Sequence, residues 1–472
     1  MRDWLKREPI VIVEGDGAVL TDAHGKQYLD ANASIWTNLH GHRHPALNAA
    51  ISAQLGKIAH SSALGFANEP ASLLGERLIA AARLPAVTPP PASSASFQKV
   101  GAPLPSVPPL EPELTKVFYS DDGSTAMEVA LKLAYECARR SGISSRPRFL
   151  SLDGAYHGDT VGAVSLGHID LFHKTYSGLL FETEKVMAPY CYRCPYNRAA
   201  PQRADARDYR MCHWECLDRV EEKFAAANSE GNPIAALVVE PVMQGSAGMI
   251  PQPSGWLRRV TDIARAHGSL VIADEVMTGF GRTGGPSLFA CHQEGVQPDF
   301  MALAKGLTGG YLPMAATLTT NRVFDAFLGE YDEFKTFFHG HSFTGNQLGA
   351  AAALASLGLL QTPASAQARS TLAEHLRAEL RALWSLPQVG DIRIAGLVAG
   401  IELVRNWQTR EPFDLRERVG IRVCEAMASK GVLTRPLGSV VPLILPYCLT
   451  AVQLRKIVAA LATSIQEAVP MS

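Results

Sequence analysis

Hydrophobic positions change rhythm twice along the chain. Over residues 10–30, Ile10-Val-Ile-Val13, Gly15-Asp-Gly17, Val19-Leu20 and Asp22-Ala-His-Gly25 alternate short apolar runs with turn residues, which predicts a small antiparallel meander. From about residue 116 the apolar positions become consecutive: Val117-Phe-Tyr119, Phe149-Leu-Ser-Leu152, Ala235-Ala-Leu-Val-Val239, Ser269-Leu-Val-Ile272 and Met314-Ala-Ala-Thr-Leu318. Such runs, separated by helical segments, suit strands covered on both faces, so the middle of the chain reads as an α/β domain around a mostly parallel sheet. Beyond that, residues 365–384 read as a helix and Val398-Ala-Gly-Ile-Glu-Leu403 as a strand. Leu454, Ile457, Val458, Leu461 and Ile465 form one face of a final helix.

This rhythm divides the chain into an N-terminal part of a small α+β domain (1–65), a large domain (66–345) and a C-terminal part of the small domain (346–472). Residues 85–115 interrupt it with nine prolines and little that could build a core, and read as a surface insertion of polyproline II character. No internal repeat is visible.

Composition narrows the function classes. The 472 residues are 47% apolar and 19% charged, an ordinary globular balance with enough chain for two or three packed lobes. With 44 basic and 45 acidic residues the net charge is −1, which offers no basic stripe for nucleic acid. The first residues are charged where a secretory signal needs an apolar run. No uncharged apolar stretch reaches the roughly 18 residues of a membrane span. A cytoplasmic location is the expectation.

Candidate chemistry concentrates in Val271-Ile-Ala-Asp-Glu-Val-Met-Thr-Gly-Phe-Gly-Arg-Thr-Gly284 and Met301-Ala-Leu-Ala-Lys-Gly-Leu-Thr-Gly-Gly310. An apolar strand delivers Asp274 and Glu275 to its C-terminal end, where open α/β sheets place ligands. Lys305 lies in a confined turn of small and apolar residues, where burial disfavours the ammonium and leaves a usable amine. A carboxylate that keeps a pyridine nitrogen protonated, paired with such a lysine, is what pyridoxal 5'-phosphate (PLP) chemistry requires. Gly123 and Ser124, in Tyr119-Ser-Asp-Asp-Gly-Ser-Thr-Ala-Met-Glu128, open a helix whose N–H groups and dipole suit a phosphate; alone, the pattern is more commonly a helix start without a ligand. Tyr156 and His157 occupy a glycine-flanked turn after a strand, where an aromatic covers a planar cofactor or simply packs.

These residues and three further stretches resemble the class III aminotransferases of PLP fold type I, and within them the biotin-synthesis branch that converts 8-amino-7-oxononanoate to 7,8-diaminononanoate. The stretches are Trp36-Thr-Asn-Leu-His-Gly-His42, Thr336-Phe-Phe-His-Gly-His-Ser-Phe-Thr-Gly-Asn346 and Thr434-Arg-Pro-Leu-Gly438. The resemblance implies that Lys305 holds the cofactor as a Schiff base and shuttles the substrate proton. It implies that Asp274 contacts the ring nitrogen, Gly123 and Ser124 bind the phosphate, and Tyr156, with His157 next to it, lies against the ring. Glu240 and Gln244 sit beside the cofactor, and Trp36, Tyr156, Gly340 and Arg435 meet substrate, Arg435 as counter-ion to a carboxylate. His341 and Ser342 reach a phosphate across the interface of a homodimer. The amino donor stays open between S-adenosyl-L-methionine and L-lysine, because Ile35-Trp36 and His341-Ser342 depart from the tryptophan pair and the Pro-Thr of adenosylmethionine-using members. Other class III activities, on ω-amino acids or diamines with pyruvate or 2-oxoglutarate, are the alternative, and a non-catalytic scaffold a remote third.

Cys191-x2-Cys194 and Cys212-x3-Cys216, with His213 adjacent, have near-zinc spacing, although reduced thiols in a loop are the plainer reading. Cys137, Cys291, Cys424 and Cys448 read as small core residues. His40, His42 and His44 alternate as on one side of a strand, but no nearby carboxylate or cysteine completes a metal set.

Overall fold

The computed structural model describes residue 5 and residues 8–84 and 112–469. Most of the proline-rich segment lies outside the described residues; Leu114 and Thr115, read with it, instead open a strand of the central sheet. That sheet has seven strands in the order Leu114–Ser120, Ala315–Thr320, Phe300–Leu303, Leu270–Asp274, Ile234–Val239, Arg148–Leu152 and Glu184–Val186. Strand 315–320 is antiparallel to both of its neighbours, and the other pairings are parallel.

The consecutive apolar runs are explained by two cores. Alternate side chains point to opposite faces of a strand. Ala236, Val238, Ile272, Phe300 and Ala302 pack with Ala126, Met127, Ala130 and Cys137 of the Gly123–Arg140 helix. Leu237, Val239, Val271, Met301 and Leu303 pack on the other face with Phe224, Trp256 and Leu74. Each of the larger side chains contributes about 1.5–3 kcal/mol by burial, and the polar residues inside these strands are hydrogen-bonded: the Thr317 hydroxyl donates to the Ala126 carbonyl and the Ser151 hydroxyl to the Leu166 carbonyl.

The meander is present as strands Ile12–Asp16, Val19–Asp22 and Gln27–Asp30, and Val432–Leu433 adds to it in parallel, joining the two ends of the chain. Strands Val389–Ala395, Val398–Asn406 and Val440–Ile444 form an antiparallel sheet. The Ala451–Ala468 helix shares a core with it through Leu454, Ile457, Val458, Leu461 and Ile465. Thr450 and Gln453 close the start of that helix as a capping box. The expected 365–384 helix is Pro363–Leu380 followed by a 3-10 turn, Arg381–Ser385.

Two readings are corrected. Residues 40–44 do not form a strand: His42 makes one bridge to Gly17, and the three histidines go to separate partners. His40 Nε2 pairs with Ser356, His42 Nε2 with Asp30 at 3.2 Å, and His44 caps the helix Pro45–Leu55, because Gly41 turns the chain at φ 86°. Cys137, Cys291 and Cys424 are buried as expected, whereas Cys448 is exposed. Among the described residues no single helix is long and apolar enough to cross a membrane.

Candidate active site

The C-terminal ends of the parallel strands open on a cavity of about 410 Å³. Asp274 is the last residue of its strand, and Lys305 follows the neighbouring strand after one residue. Tyr156 and His157 come from the loop after strand 148–152, and Gly123 and Ser124 head the helix that follows strand 114–120. All six line the cavity, together with Trp36 and Glu240.

At the floor, His157 Nδ1 lies 2.7 Å from Asp274 Oδ2, while the Val276 N–H donates to the other carboxylate oxygen at 3.0 Å. Burial favours a neutral imidazole, but the hydrogen bond and charge of Asp274 outweigh it and raise the His157 pKa. The shift favours a protonated imidazole beside the carboxylate. Its Nε2 is buried without a hydrogen-bond partner among the described residues. Glu240 is also fully buried: burial pushes its pKa up to about 7, with Asp274 adding to the rise, while His157 and the Gly245 and Tyr156 N–H groups oppose it. Burial lowers the pKa of Lys305 against the pull of Asp274 and Glu240, which moves its amine toward the neutral form.

Lys305 takes φ 33°, and its Nζ sits 4.9 Å from the centroid of the Trp36 ring. Trp36 is delivered by an unusual backbone: Ala33, Ser34, Ile35 and Trp36 all have positive φ, from 43° to 73°. Each such L-residue costs roughly 1–2 kcal/mol, so other contacts must hold the turn. The Trp36 indole N–H donates to Asn32 Oδ1 at 3.1 Å. The buried Arg282 guanidinium donates to the carbonyls of Trp36 (3.0 Å), Asn38 (3.2 Å) and Leu445 (2.9 Å). In the sequence Arg282 is one residue of the Val271–Gly284 stretch, and its partners lie far along the chain. Glu275, in contrast, turns away from the cavity and accepts from the Ala290 and Cys291 N–H groups, which anchors the following loop.

The residues present fit PLP. A pinned carboxylate and a buried amine lie in one cavity, with an aromatic on its wall. The part of the cavity at Gly123 and Ser124 is equally confined. A Cβ on Gly123 would sit 2.7 Å from Val276 Cγ1, and one on Gly158 2.8 Å from Ser124 Cα, so both glycines keep space that a side chain would fill. Ser124 Oγ accepts the Asp159 N–H at 3.2 Å, and the Tyr156 hydroxyl donates to Asp159 at 2.8 Å. Glu128, unnoticed in the sequence, fixes this loop by accepting from the Thr160 hydroxyl and the Gly162 N–H.

Five expected residues do not line the cavity of the single chain. Gln244 is buried behind it and donates to the Asp153 carbonyl at 3.1 Å. His341 Nδ1 lies 3.7 Å from Asp121 on the rim, and Gly340, Ser342 and Arg435 are exposed. Of the cysteine group, Cys191 and Cys216 are buried, Cys194 and Cys212 half-buried, and all four are free.

Comparison with known proteins agrees with this geometry. A family model of class-III aminotransferases matches residues 2–465. The chain is 46% identical to the adenosylmethionine-8-amino-7-oxononanoate aminotransferase of Geobacter sulfurreducens, covering 98% of this chain and 94% of the relative. It is 40% identical to the enzyme of that name from Aquifex aeolicus, over 99% and 94%. The crystal structure of the Methanocaldococcus jannaschii enzyme of that name superposes with a TM-score of 0.84 at 36% identity, over 99% and 95% of the two chains. A PLP-bound amine transaminase from an uncultivated Pseudomonas species gives 0.84 at 31%, over 98% and 96%. Sheet order, the lysine–aspartate cavity and these similarities together place the chain in the class-III aminotransferases, PLP-dependent enzymes of fold type I.

Proposed function

We propose that this aminotransferase moves an amino group from S-adenosylmethionine to 8-amino-7-oxononanoate, giving 7,8-diaminononanoate for biotin synthesis, and works as a cytoplasmic homodimer. The relatives' names support acceptor and donor alike. The observation that carries the chemistry is Lys305 and the His157–Asp274 pair facing one cavity. When bound, PLP supplies the electron sink that makes a proton next to the amine labile.

The chain's own residues do the rest. Gly123 and Ser124 would hold the phosphate, and Asp274, oriented by His157 and the Val276 N–H, would hold the ring nitrogen protonated. The lowered basicity of Lys305 lets its freed amine accept the substrate proton and return it to the neighbouring atom, a positioned transfer typically worth about 10²–10⁴-fold. Tyr156 and Trp36 wall the cavity and exclude water from that transfer. Arg435, exposed in the single chain, would meet the acceptor's carboxylate, and His341 and Ser342 would serve the partner subunit's phosphate.

A donor screen tests the reading. Purified enzyme with PLP and 8-amino-7-oxononanoate should form diamine with S-adenosylmethionine. Turnover with lysine alone would replace the donor, and amination of pyruvate or 2-oxoglutarate without amination of the oxononanoate would overturn the acceptor.

A further inference from the structure

The Gly123–Arg140 helix reaches the cavity with Gly123 and Ser124, and a second side chain one turn on faces the same way. Ser124 and Glu128 are four residues apart, which puts them one above the other on a helix face. Both bind the loop that follows Tyr156 and His157. Ser124 Oγ accepts the Asp159 N–H at 3.2 Å. A single oxygen of Glu128, Oε1, accepts the Thr160 hydroxyl at 2.6 Å and the Gly162 and Ala163 N–H groups at 2.8 and 3.3 Å.

Those N–H groups open a short helix, Val161–Ser165. The first turn of a helix leaves its N–H groups without intrahelical partners, and a serine or threonine just before it ordinarily accepts one. Thr160 holds that place and makes no side-chain cap; its hydroxyl donates to Glu128 instead. The cap comes from a carboxylate 32 residues earlier, on the helix that heads the cavity.

Two glycines let the loop lie on the helix. A Cβ on Gly158 would sit 2.2 Å from Ser124 Oγ, and one on Gly162 2.3 Å from Glu128 Oε2. Gly158 has φ 126°, whereas Gly162 is not among the glycines of positive φ, so its backbone does not demand glycine. The three atoms nearest to that missing Cβ all belong to Glu128. Space for the carboxylate is what the glycine at 162 provides.

We propose that Glu128 is a positioning residue for transamination: it fixes the loop so that Tyr156 and His157 are correctly set while Ser124 keeps its place at the phosphate. The inference rests on PLP occupying the cavity of Lys305 and Asp274. Glu128 does not line that cavity and acts through the loop. His157 ties one end of the loop to Asp274, and Tyr156 is tied to Asp159, the residue between the Ser124 and Glu128 contacts. Without the Glu128 carboxylate three donors lose their acceptor, and Ser124 alone holds this stretch to the helix. A misplacement of about 1 Å in a reacting assembly costs on the order of 10²-fold in rate.

Wild type, Glu128→Ala, Glu128→Gln and Thr160→Val are compared as holoenzymes at saturating PLP. Single-turnover absorbance reads the half-reaction with the amino donor, circular dichroism of the bound cofactor reads its setting, and thermal melting reads stability. Glu128→Ala should slow the half-reaction about 10- to 100-fold and change the cofactor's dichroism. Glu128→Gln keeps an oxygen where Oε1 stands and should run at least about fivefold faster than the alanine variant. Thr160 makes no cap of its own, so Thr160→Val removes only one donor to Glu128 and should slow the half-reaction about 2- to 10-fold. Should the alanine variant fail to fold, Thr160→Val decides. A Glu128→Ala enzyme that melts earlier but keeps the wild-type rate and dichroism overturns the inference, as does a glutamine variant no faster than alanine, or Thr160→Val at the wild-type rate. Wild type without borohydride-trapped PLP on Lys305 overturns the cavity reading itself, and the inference with it.

Discussion

The His157–Asp274 pair can be separated from general packing by two substitutions. His157→Gln can still donate a neutral amide N–H to Asp274 in place of the histidinium. A charged hydrogen bond is worth about 1.5–3 kcal/mol and a neutral one about 0.5–1.5, so the loss is about 1–2 kcal/mol. At about 1.36 kcal/mol per tenfold, the half-reaction with the amino donor should slow roughly 5- to 30-fold. His157→Leu removes the partner altogether and leaves a buried carboxylate held only by the Val276 N–H, a change in the class that costs about 3–5 kcal/mol. Single-turnover absorbance of the cofactor reads the rate, and urea titration across pH reads the stability.

The sign of the pH dependence follows from the direction of the shift. The folded pKa of His157 is raised above its ordinary 6.5, so its proton-linked stabilisation is complete below 6.5 and disappears as pH rises through the raised value. The stability gap between wild type and His157→Leu should therefore be widest in acid and narrow in alkali. A gap that stays constant across this range, or a Gln variant with an unchanged half-reaction, refutes the charged-pair argument.

Lys305→Ala should bind PLP without a covalent link and lose at least about 10²-fold in the proton-transfer step, checked by borohydride trapping and single turnover. Glu240 is fully buried with its pKa raised to about 7, so it stabilises the fold below its ordinary 4.5 and this is lost as pH rises through 7; Glu240→Gln should remove that slope, worth about 3 kcal/mol or less, in urea titrations between pH 5 and 8.5. Gly158→Ala places a Cβ 2.8 Å from Ser124 Cα at φ 126°, and PLP affinity by fluorescence titration should weaken more than about tenfold, the scale set by 1–3 kcal/mol of backbone strain.

Strands and motifs were legible where a local pattern reports its own environment. Ile234–Val239 is apolar throughout because both of its faces are covered, and the final helix repeats at three and four because one face is. Asp274 and Lys305 were legible for the complementary reason: ionisable residues at the ends of buried strands have no packing explanation. The histidine triplet failed because alternation means a strand only if the backbone stays extended, and Gly41 turns it. Arg435 and the His341–Ser342 pair could be placed only by resemblance, since an exposed side chain in a single chain carries no local signal of what it will meet.

Arg282 shows why the remainder was invisible. Its value lies in three carbonyls contributed by residues 36, 38 and 445, none of which constrains the sequence, because every residue type offers a carbonyl. Those contacts matter because they retain a left-handed run from Ala33 to Trp36 that no local preference would form. Summed over four residues at roughly 1–2 kcal/mol each, the strain rivals the net stability of a domain. Arg282, Asn32, the packing of Trp36 and Asp30, which accepts from the Ser34 N–H and hydroxyl, hold the turn from several directions. Strain of that size is kept where it sets an indole against the amine of Lys305, so a backbone run that no local preference would form also shapes the cavity wall.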